Sequence, residues 1–92
     1  MNNLNLLTII AEEALASSIE KEIIGMGAKG YTSSVDAGKG LHGLKDNQWE
    51  GENIKFETIV SEENCKKILD HLQRKYFDRH AMIAFHQPLN VV

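Results

Sequence analysis

The sequence predicts an α+β fold in which four strands and two helices follow one another in the order β-α-β-β-α-β. Two stretches carry apolar residues at helical spacing, and short strand-like stretches lie on either side of each. Glycines or helix-capping residues mark the boundaries between these stretches. The chain has 92 residues, which is the size of a single domain.

The first strand and the first helix are predicted from a change of period near residue 11. Residues 3–10 are short and rich in Leu and Ile, as expected of a buried strand. An amphipathic helix is then predicted by apolar residues spaced by four, four and three: Leu15, Ile19, Ile23 and Met26. Gly25 and Gly27 predict the end of this helix.

The second and third strands are predicted from alternation. Polar and less polar residues alternate over residues 31–36, and the alternation returns over residues 53–60. In the third strand we expect Ile54, Phe56, Thr58 and Val60 on one side, and Lys55, Glu57 and Ile59 on the other.

The second helix and the last strand complete the pattern. Ser61 is a predicted N-cap, with Glu62 and Glu63 favourably placed at the positive end of the helix dipole. The apolar stripe of this helix is Cys65, Ile68, Leu69, Leu72 and Tyr76. Residues 81–92 are predicted to be extended, and Pro88 predicts an edge strand or a tail because proline cannot donate to a sheet ladder.

This order of elements predicts a ferredoxin-like sandwich, with two helices on one face of a four-stranded antiparallel sheet. The other face then needs water, a ligand or another subunit. We expect that face to be mixed to apolar, with Ile and Leu side chains beside Tyr31, Phe56 and Phe85. Self-association over this face is a reasonable hypothesis.

Composition narrows the classes of function. The formal net charge of −3 argues against non-specific binding to nucleic acid or to anionic membranes. No apolar run is as long as a membrane span, and no basic segment precedes the first strand, as a secretory signal would require. The single cysteine, Cys65, cannot form an intrachain disulfide. We therefore expect a cytoplasmic protein without membrane insertion. The four histidines are not spaced as metal ligands, so no metal site is predicted.

The most informative segment is the glycine-rich stretch over residues 27–40. Glycines let backbone N–H groups face outward in a curved loop, which makes a nest for anions. Lys39 between Gly38 and Gly40 would add a cation, and together they suggest phosphate. A flexible loop base is the alternative. The stretch is not a P-loop, because Lys39 is followed by Gly rather than Ser or Thr.

With these motifs the sequence resembles the PII signalling proteins, most closely their PII-like branch tied to inorganic-carbon uptake. The resemblance is carried by Gly-Ala-Lys-Gly-Tyr-Thr at residues 27–32, Gly-Lys-Gly at residues 38–40 and Asn-Ile-Lys-Phe-Glu at residues 53–57. It implies a single PII-like domain over residues 1–92 and a compact homotrimer. It also implies a non-enzymatic protein that regulates a target through the T-loop, about residues 37–52.

The resemblance further implies adenine-nucleotide sites in the clefts between subunits. The ligands would be ADP, AMP, cyclic AMP or ATP, with bicarbonate as a candidate co-ligand and a bicarbonate transporter in the membrane as a candidate target. Thr32 would contact the adenine edge, and Arg79 would be the remaining cation near the phosphates. The full implied set is Gly30, Tyr31, Thr32, Gly38, Lys39, Gly40, Phe56, Glu57, Thr58 and Arg79.

One departure from the family bears on the ligand. The loop before the last strand is short and Arg79 is its one firm positive charge, whereas typical PII proteins have a Gly- and Lys-rich loop there. A mono- or diphosphate or a cyclic nucleotide is therefore favoured over a triphosphate.

Other functions share this order of elements. The main alternative is a small-molecule or metal-sensing ferredoxin-like trimer without nucleotide binding. An acylphosphatase would need an anion-holding arginine in the first loop, but the arginines are Arg74 and Arg79. An RNA-recognition domain would need several aromatic and basic residues on the third strand, which offers one of each.

Overall fold

A computed structural model describes residues 3–36 and 52–92. Its elements follow the predicted order: β1 (Leu4–Glu12), α1 (Ala16–Gly25), β2 (Thr32–Asp36), β3 (Asn53–Ser61), α2 (Glu62–Lys75) and β4 (Met82–Leu89). A short 3₁₀ turn, Glu13–Leu15, joins β1 to α1. The predicted T-loop, except for Glu52, lies outside the described residues.

The four strands form one antiparallel sheet in the order β2-β3-β1-β4. This is the predicted ferredoxin-like sheet. In its central row Ile9 of β1 pairs with Phe56 of β3 and with Ala84 of β4. Pro88 lies on β4, which is an edge strand, as predicted. At an edge the missing N–H of proline is tolerated, because the strand pairs on one side alone.

The two helices bury one face of this sheet. An apolar core joins α1 and α2 to the sheet; its fully buried members include Leu7, Ile9, Ile19, Ile23, Ile68 and Leu72. The predicted apolar stripe of α2 is confirmed, with Leu69 the one partly exposed member. The predicted N-cap is also confirmed, because Ser61 Oγ accepts from the Asn64 N–H at 3.0 Å.

The first helix starts later than its apolar pattern suggests, because β1 continues to Glu12 and Leu15 lies in the 3₁₀ turn. Its end is a Schellman motif: the N–H of Ala28 donates to Ile23 and that of Gly27 to Ile24. Gly27 has φ of 107°, and a Cβ there would lie 2.2 Å from the Asn64 side chain. Gly27 is therefore the capping glycine, and Gly25 is the last residue of the helix.

The other face of the sheet is not covered by α1 or α2 and carries exposed apolar side chains, as expected. Ile59 is 49% exposed and Phe85 is 52% exposed. We call this surface, with the partly exposed Leu6, Ile10 and Ile83, the open face. Phe56 and Tyr31 were wrongly expected here. The pairing of Phe56 with Ile9 places it on the helix side, where it is only 2% exposed, and Tyr31 packs its ring on Phe56 and bonds to Glu20 of α1.

A polar cluster centred on Glu22 joins the two helices. The Glu22 carboxylate accepts from Tyr76 Oη and from His71 Nε2, each at 2.9 Å, and also from Lys75 Nζ. Burial alone would raise the pKa of Glu22, but the hydrogen bonds from Lys75, His71 and Tyr76 outweigh it, so the pKa is lowered. The cluster therefore stabilises the folded state most when Glu22 is ionised.

We expect Glu22→Gln to lower the free energy of unfolding by about 1–2 kcal/mol at neutral pH, because charge-assisted bonds from α2 are lost. A lowered pKa in the folded state means that this stabilisation is present above the unfolded pKa, near 4.5, and is lost as pH falls through the folded pKa. Urea unfolding of both proteins from pH 7 to pH 3 measures the difference.

The matched control is Asp70→Asn, which removes an exposed carboxylate paired with Arg74 on α2. It should change the free energy of unfolding by less than about 0.5 kcal/mol. A Glu22→Gln difference that stayed constant down to pH 3 would contradict the account of the cluster.

Candidate ligand-binding cleft

A cleft lies where β2 begins. Pairing of β2 with β3 starts at Thr32 opposite Glu57 and ends at Asp36 opposite Asn53, so the last four residues of β3 extend past β2. The resulting cavity has a volume of about 550 Å³ and is lined by Leu6, Gly30, Tyr31, Thr32, Glu57, Thr58 and Ile59. This volume is in the range of small-molecule sites.

A hydrogen bond from β3 holds the segment that precedes β2. The hydroxyl of Thr58 donates to the carbonyl oxygen of Gly30, at a place where strand pairing has already stopped. Thr58 is buried, so its hydroxyl needs such a partner. A Cβ at Gly30 would meet nothing within 4 Å, and Gly30 therefore leaves space open at the cleft.

Tyr31 forms a side wall of the cleft. Its hydroxyl donates to the carboxylate of Glu20 on α1, and its ring packs edge-on against Phe56 with ring centroids 5.4 Å apart. The bond to Glu20 raises the pKa of the Tyr31 phenol, because the carboxylate favours the protonated form. The side chain of Tyr31 is thus engaged with the core and with α1, and it anchors the segment that lines the cleft.

The polar groups of the cleft converge on one row of the open face. Glu57 has Thr32 beside it on β2 and the buried Thr8 on its other side on β1. An ionised Glu57 only accepts hydrogen bonds, whereas the Thr32 hydroxyl donates or accepts. With Leu6 and Ile59 as apolar lining, this arrangement suits a flat heterocycle that carries an amino group.

The structure brings half of the sequence-predicted site residues to this cleft: Gly30, Tyr31, Thr32, Glu57 and Thr58. Phe56 does not line it but supports Tyr31 from the core. Arg79 lies in the turn after α2, near the far end of β1, where the N–H of Ala81 donates to Glu12 at 3.2 Å. Gly38, Lys39 and Gly40 lie outside the described residues.

Sequence reasoning missed the apolar lining and one support of the cleft. Leu6 and Ile59 meet there because they are cross-strand partners, and a register between distant strands cannot be read from local pattern. Alternation in β3 correctly placed Ile59 on the same side as Glu57, and this was the one sequence signal for its position in the cleft. Glu20 gave no signal, because a carboxylate beside a helix stripe is usually solvated.

Comparison with known proteins decides the family. The sequence model described as nitrogen regulatory protein P-II matches residues 4–92. The chain belongs to the P-II family. Among solved structures it is similar to a PII-like signalling protein from Thermus thermophilus, with 44% identity and a TM-score of 0.83 over 99% of this chain and 91% of that one. The PII-like branch expected from the sequence is thereby confirmed.

Two further structures resemble this PII-like chain, both of CPII from Thiomonas intermedia K12. CPII bound to ADP, AMP and acetate is 27% identical with a TM-score of 0.83, covering 99% of this chain and 90% of that one. CPII bound to ADP and bicarbonate is 29% identical with a TM-score of 0.78, and the match covers 96% of this chain and 87% of that one.

Two structural observations on the PII-like chain bear on other functions. None of the helices within residues 3–36 and 52–92 is long and apolar enough to cross a membrane. Over the same residues, no group of three or more His, Cys, Asp or Glu side chains is arranged to hold a metal ion.

The pKa of Tyr31 gives a direct check on the wall of the cleft. The chain has two tyrosines, so Tyr31 is the only phenol left in a Tyr76→Phe background. There we expect Glu20→Gln to lower the pKa of Tyr31 toward its ordinary value near 10, because the carboxylate no longer favours the protonated phenol. Ultraviolet difference spectroscopy of phenol ionisation measures the change.

The control in the same background is Glu63→Gln, which alters an exposed carboxylate on α2. It should leave the Tyr31 titration unchanged. Equal titration curves for all three proteins would show that Glu20 does not hold the phenol in solution.

Proposed function

We propose that this chain is a non-enzymatic PII-like signal-transduction protein, with residues 1–92 acting as one domain that binds an adenine nucleotide in the cleft at the start of β2. The observation that carries the proposal is the meeting of residues 30–32 and 57–59 around one cavity in a P-II family chain. CPII, which is similar over almost the whole chain, is bound to ADP and AMP in its structure.

The chemistry of the cleft supports adenine as the base. Its 6-amino group would donate to the Glu57 carboxylate, and the Thr32 hydroxyl would bond a ring nitrogen on the same edge. A base with an oxygen at that position would place an acceptor against Glu57, which is unfavourable. Leu6 and Ile59 would contact the faces of the ring.

The course of β2 supports a direction for the phosphates. From Thr32 to Asp36 the strand advances about 13 Å, at about 3.3 Å per residue. That far end of the sheet is also where β1 ends at Glu12 and where the turn containing Arg79 returns to the sheet. Gly38, Lys39 and Gly40 follow Asp36 in the sequence, so we assign them and Arg79 to the phosphate side.

The open face supports a homotrimer. Ile59 belongs both to the cleft and to this exposed apolar surface, so a second copy packed on the face would also close one side of the cleft. Burial of half-exposed Ile59 and Phe85 would provide the hydrophobic gain. In this arrangement the nucleotide lies between subunits, and it controls a target protein through the T-loop.

The target and the co-ligand are the finer parts of the proposal. CPII from Thiomonas intermedia K12 is bound to ADP and bicarbonate in one structure. We accordingly assign to this chain a role in inorganic-carbon uptake or related metabolism, with bicarbonate as the co-ligand and a bicarbonate transporter as the target. The protein would act in the cytoplasm.

Calorimetric titration with AMP, cyclic AMP, ADP and ATP, with and without bicarbonate, tests the proposal. We expect about one nucleotide per chain with dissociation constants in the micromolar range, and no gain for ATP over ADP, since Arg79 is the one firm cation predicted before β4. Gly30→Ala should weaken binding about tenfold or more, because its methyl group would enter the cleft.

The matched control is Gly25→Ala, which also meets nothing within 4 Å but lies at the end of α1 away from the cleft. Both variants should fold as well as the parent protein, and Gly25→Ala should bind as the parent does. Absence of binding for all four nucleotides would reject the proposal in favour of a sensor of another small molecule or of a metal. If Gly30→Ala and Gly25→Ala weakened nucleotide binding equally, the binding site would not be the cleft at Gly30.

A further inference from the structure

A carboxylate on the helix layer is connected to the wall of the cleft. Glu20 lies on α1, directly after the buried Ile19, and it is not among the residues that line the cleft. Its carboxylate accepts the hydroxyl of Tyr31, which does line it. Glu20 therefore reaches the cleft only through the phenol.

The bond to Glu20 holds Tyr31 at a point where its backbone has no strand partner. Tyr31 precedes β2, so no strand pairing holds it, and the Thr58 hydroxyl bonds the carbonyl of the adjacent Gly30 rather than Tyr31 itself. The Tyr31 ring packs edge-on against Phe56, which is buried in the core. The bond to Glu20 therefore ties residue 31, and with it the segment that lines the cleft, to α1.

We propose that Glu20 is a positioning residue for the ligand site: by holding the Tyr31 side chain against α1 and Phe56, its carboxylate fixes Gly30, Tyr31 and Thr32 as a preformed wall for the base. The inference rests on the proposed nucleotide binding. A wall ordered before binding spares the ligand the entropic cost of ordering it, and the affinity is higher by that amount.

This arrangement predicts a specific pattern in a double-mutant cycle. Glu20→Ala and Tyr31→Phe each remove the same bond, so each should weaken ADP binding about three- to tenfold. The double variant should bind no more weakly than either single variant, because the second change removes nothing further. Glu20→Gln should stay within about twofold of the parent, since its amide oxygen still accepts the phenol proton.

Glu22→Gln separates positioning from general stability. Glu22 lies two residues further along α1, and in the described part of the chain its carboxylate bonds to α2 and to Tyr76 directly after it. This variant should therefore lower the free energy of unfolding without changing ADP affinity. Calorimetric titration with ADP and urea unfolding on all six proteins give both quantities. Tyr31→Phe keeps the ring, so it remains informative even where Glu20→Ala folds poorly.

The outcomes are distinct. Coupled losses for the Glu20 and Tyr31 variants, with rescue by Glu20→Gln and no loss for Glu22→Gln, support the inference. Additive losses, unchanged ADP affinity, or an equal loss for Glu22→Gln overturn it and leave the proposed function standing. A parent protein that binds no nucleotide overturns the proposed function, and this inference falls with it.

Discussion

The hydrogen bond from Thr58 to the carbonyl of Gly30 is the contact on which the cleft depends. The five residues of β2 are too few to cover the nine residues of β3, so the segment before β2 has no ladder partner. A single buried hydroxyl on β3 keeps this segment beside the sheet. Gly30, Tyr31 and Thr32 are thereby presented along one wall, facing Glu57 and Ile59 on the neighbouring strand.

The same geometry connects the cleft with the two faces of the sheet. Toward the helices, Tyr31 contacts Phe56 and Glu20, so the wall rests on the core and on α1. Toward the open face, Glu57 and Ile59 continue into a surface of exposed apolar side chains. In the proposed trimer, ligand binding and subunit packing would share Ile59, and each would then favour the other.

Much of the fold follows from local pattern in the sequence. The period of the apolar residues gave the order of elements, Ser61 and Gly27 gave two helix ends, and alternation in β3 gave the residues that share each of its sides. What local pattern could not supply is the pairing of distant strands. The open-face position of Phe56 was wrong for that reason, and Leu6 became a lining residue only through its register with Ile59.

The site residues that belong to a sequence motif could be predicted, and the others could not. The glycine-rich motif and the third strand pointed to Gly30, Tyr31, Thr32, Glu57 and Thr58, which do meet. The family resemblance implied Arg79 near the phosphates; Arg79 lies toward the other end of the sheet, and its role stays a prediction. The bond between Glu20 and Tyr31 joins residues of two elements and has no sequence signature.

The central claim is that an adenine nucleotide binds in the cleft at the start of β2, and mapping of backbone amide chemical shifts during an ADP titration tests it most directly. The account predicts that the largest shifts among the described residues fall on residues 30–32 and 57–59, with little change at Gly25, Gly27 and Asn64 in the groove between the helices. Shifts centred on that helical groove, or no shifts in the cleft at saturating ADP, would contradict it.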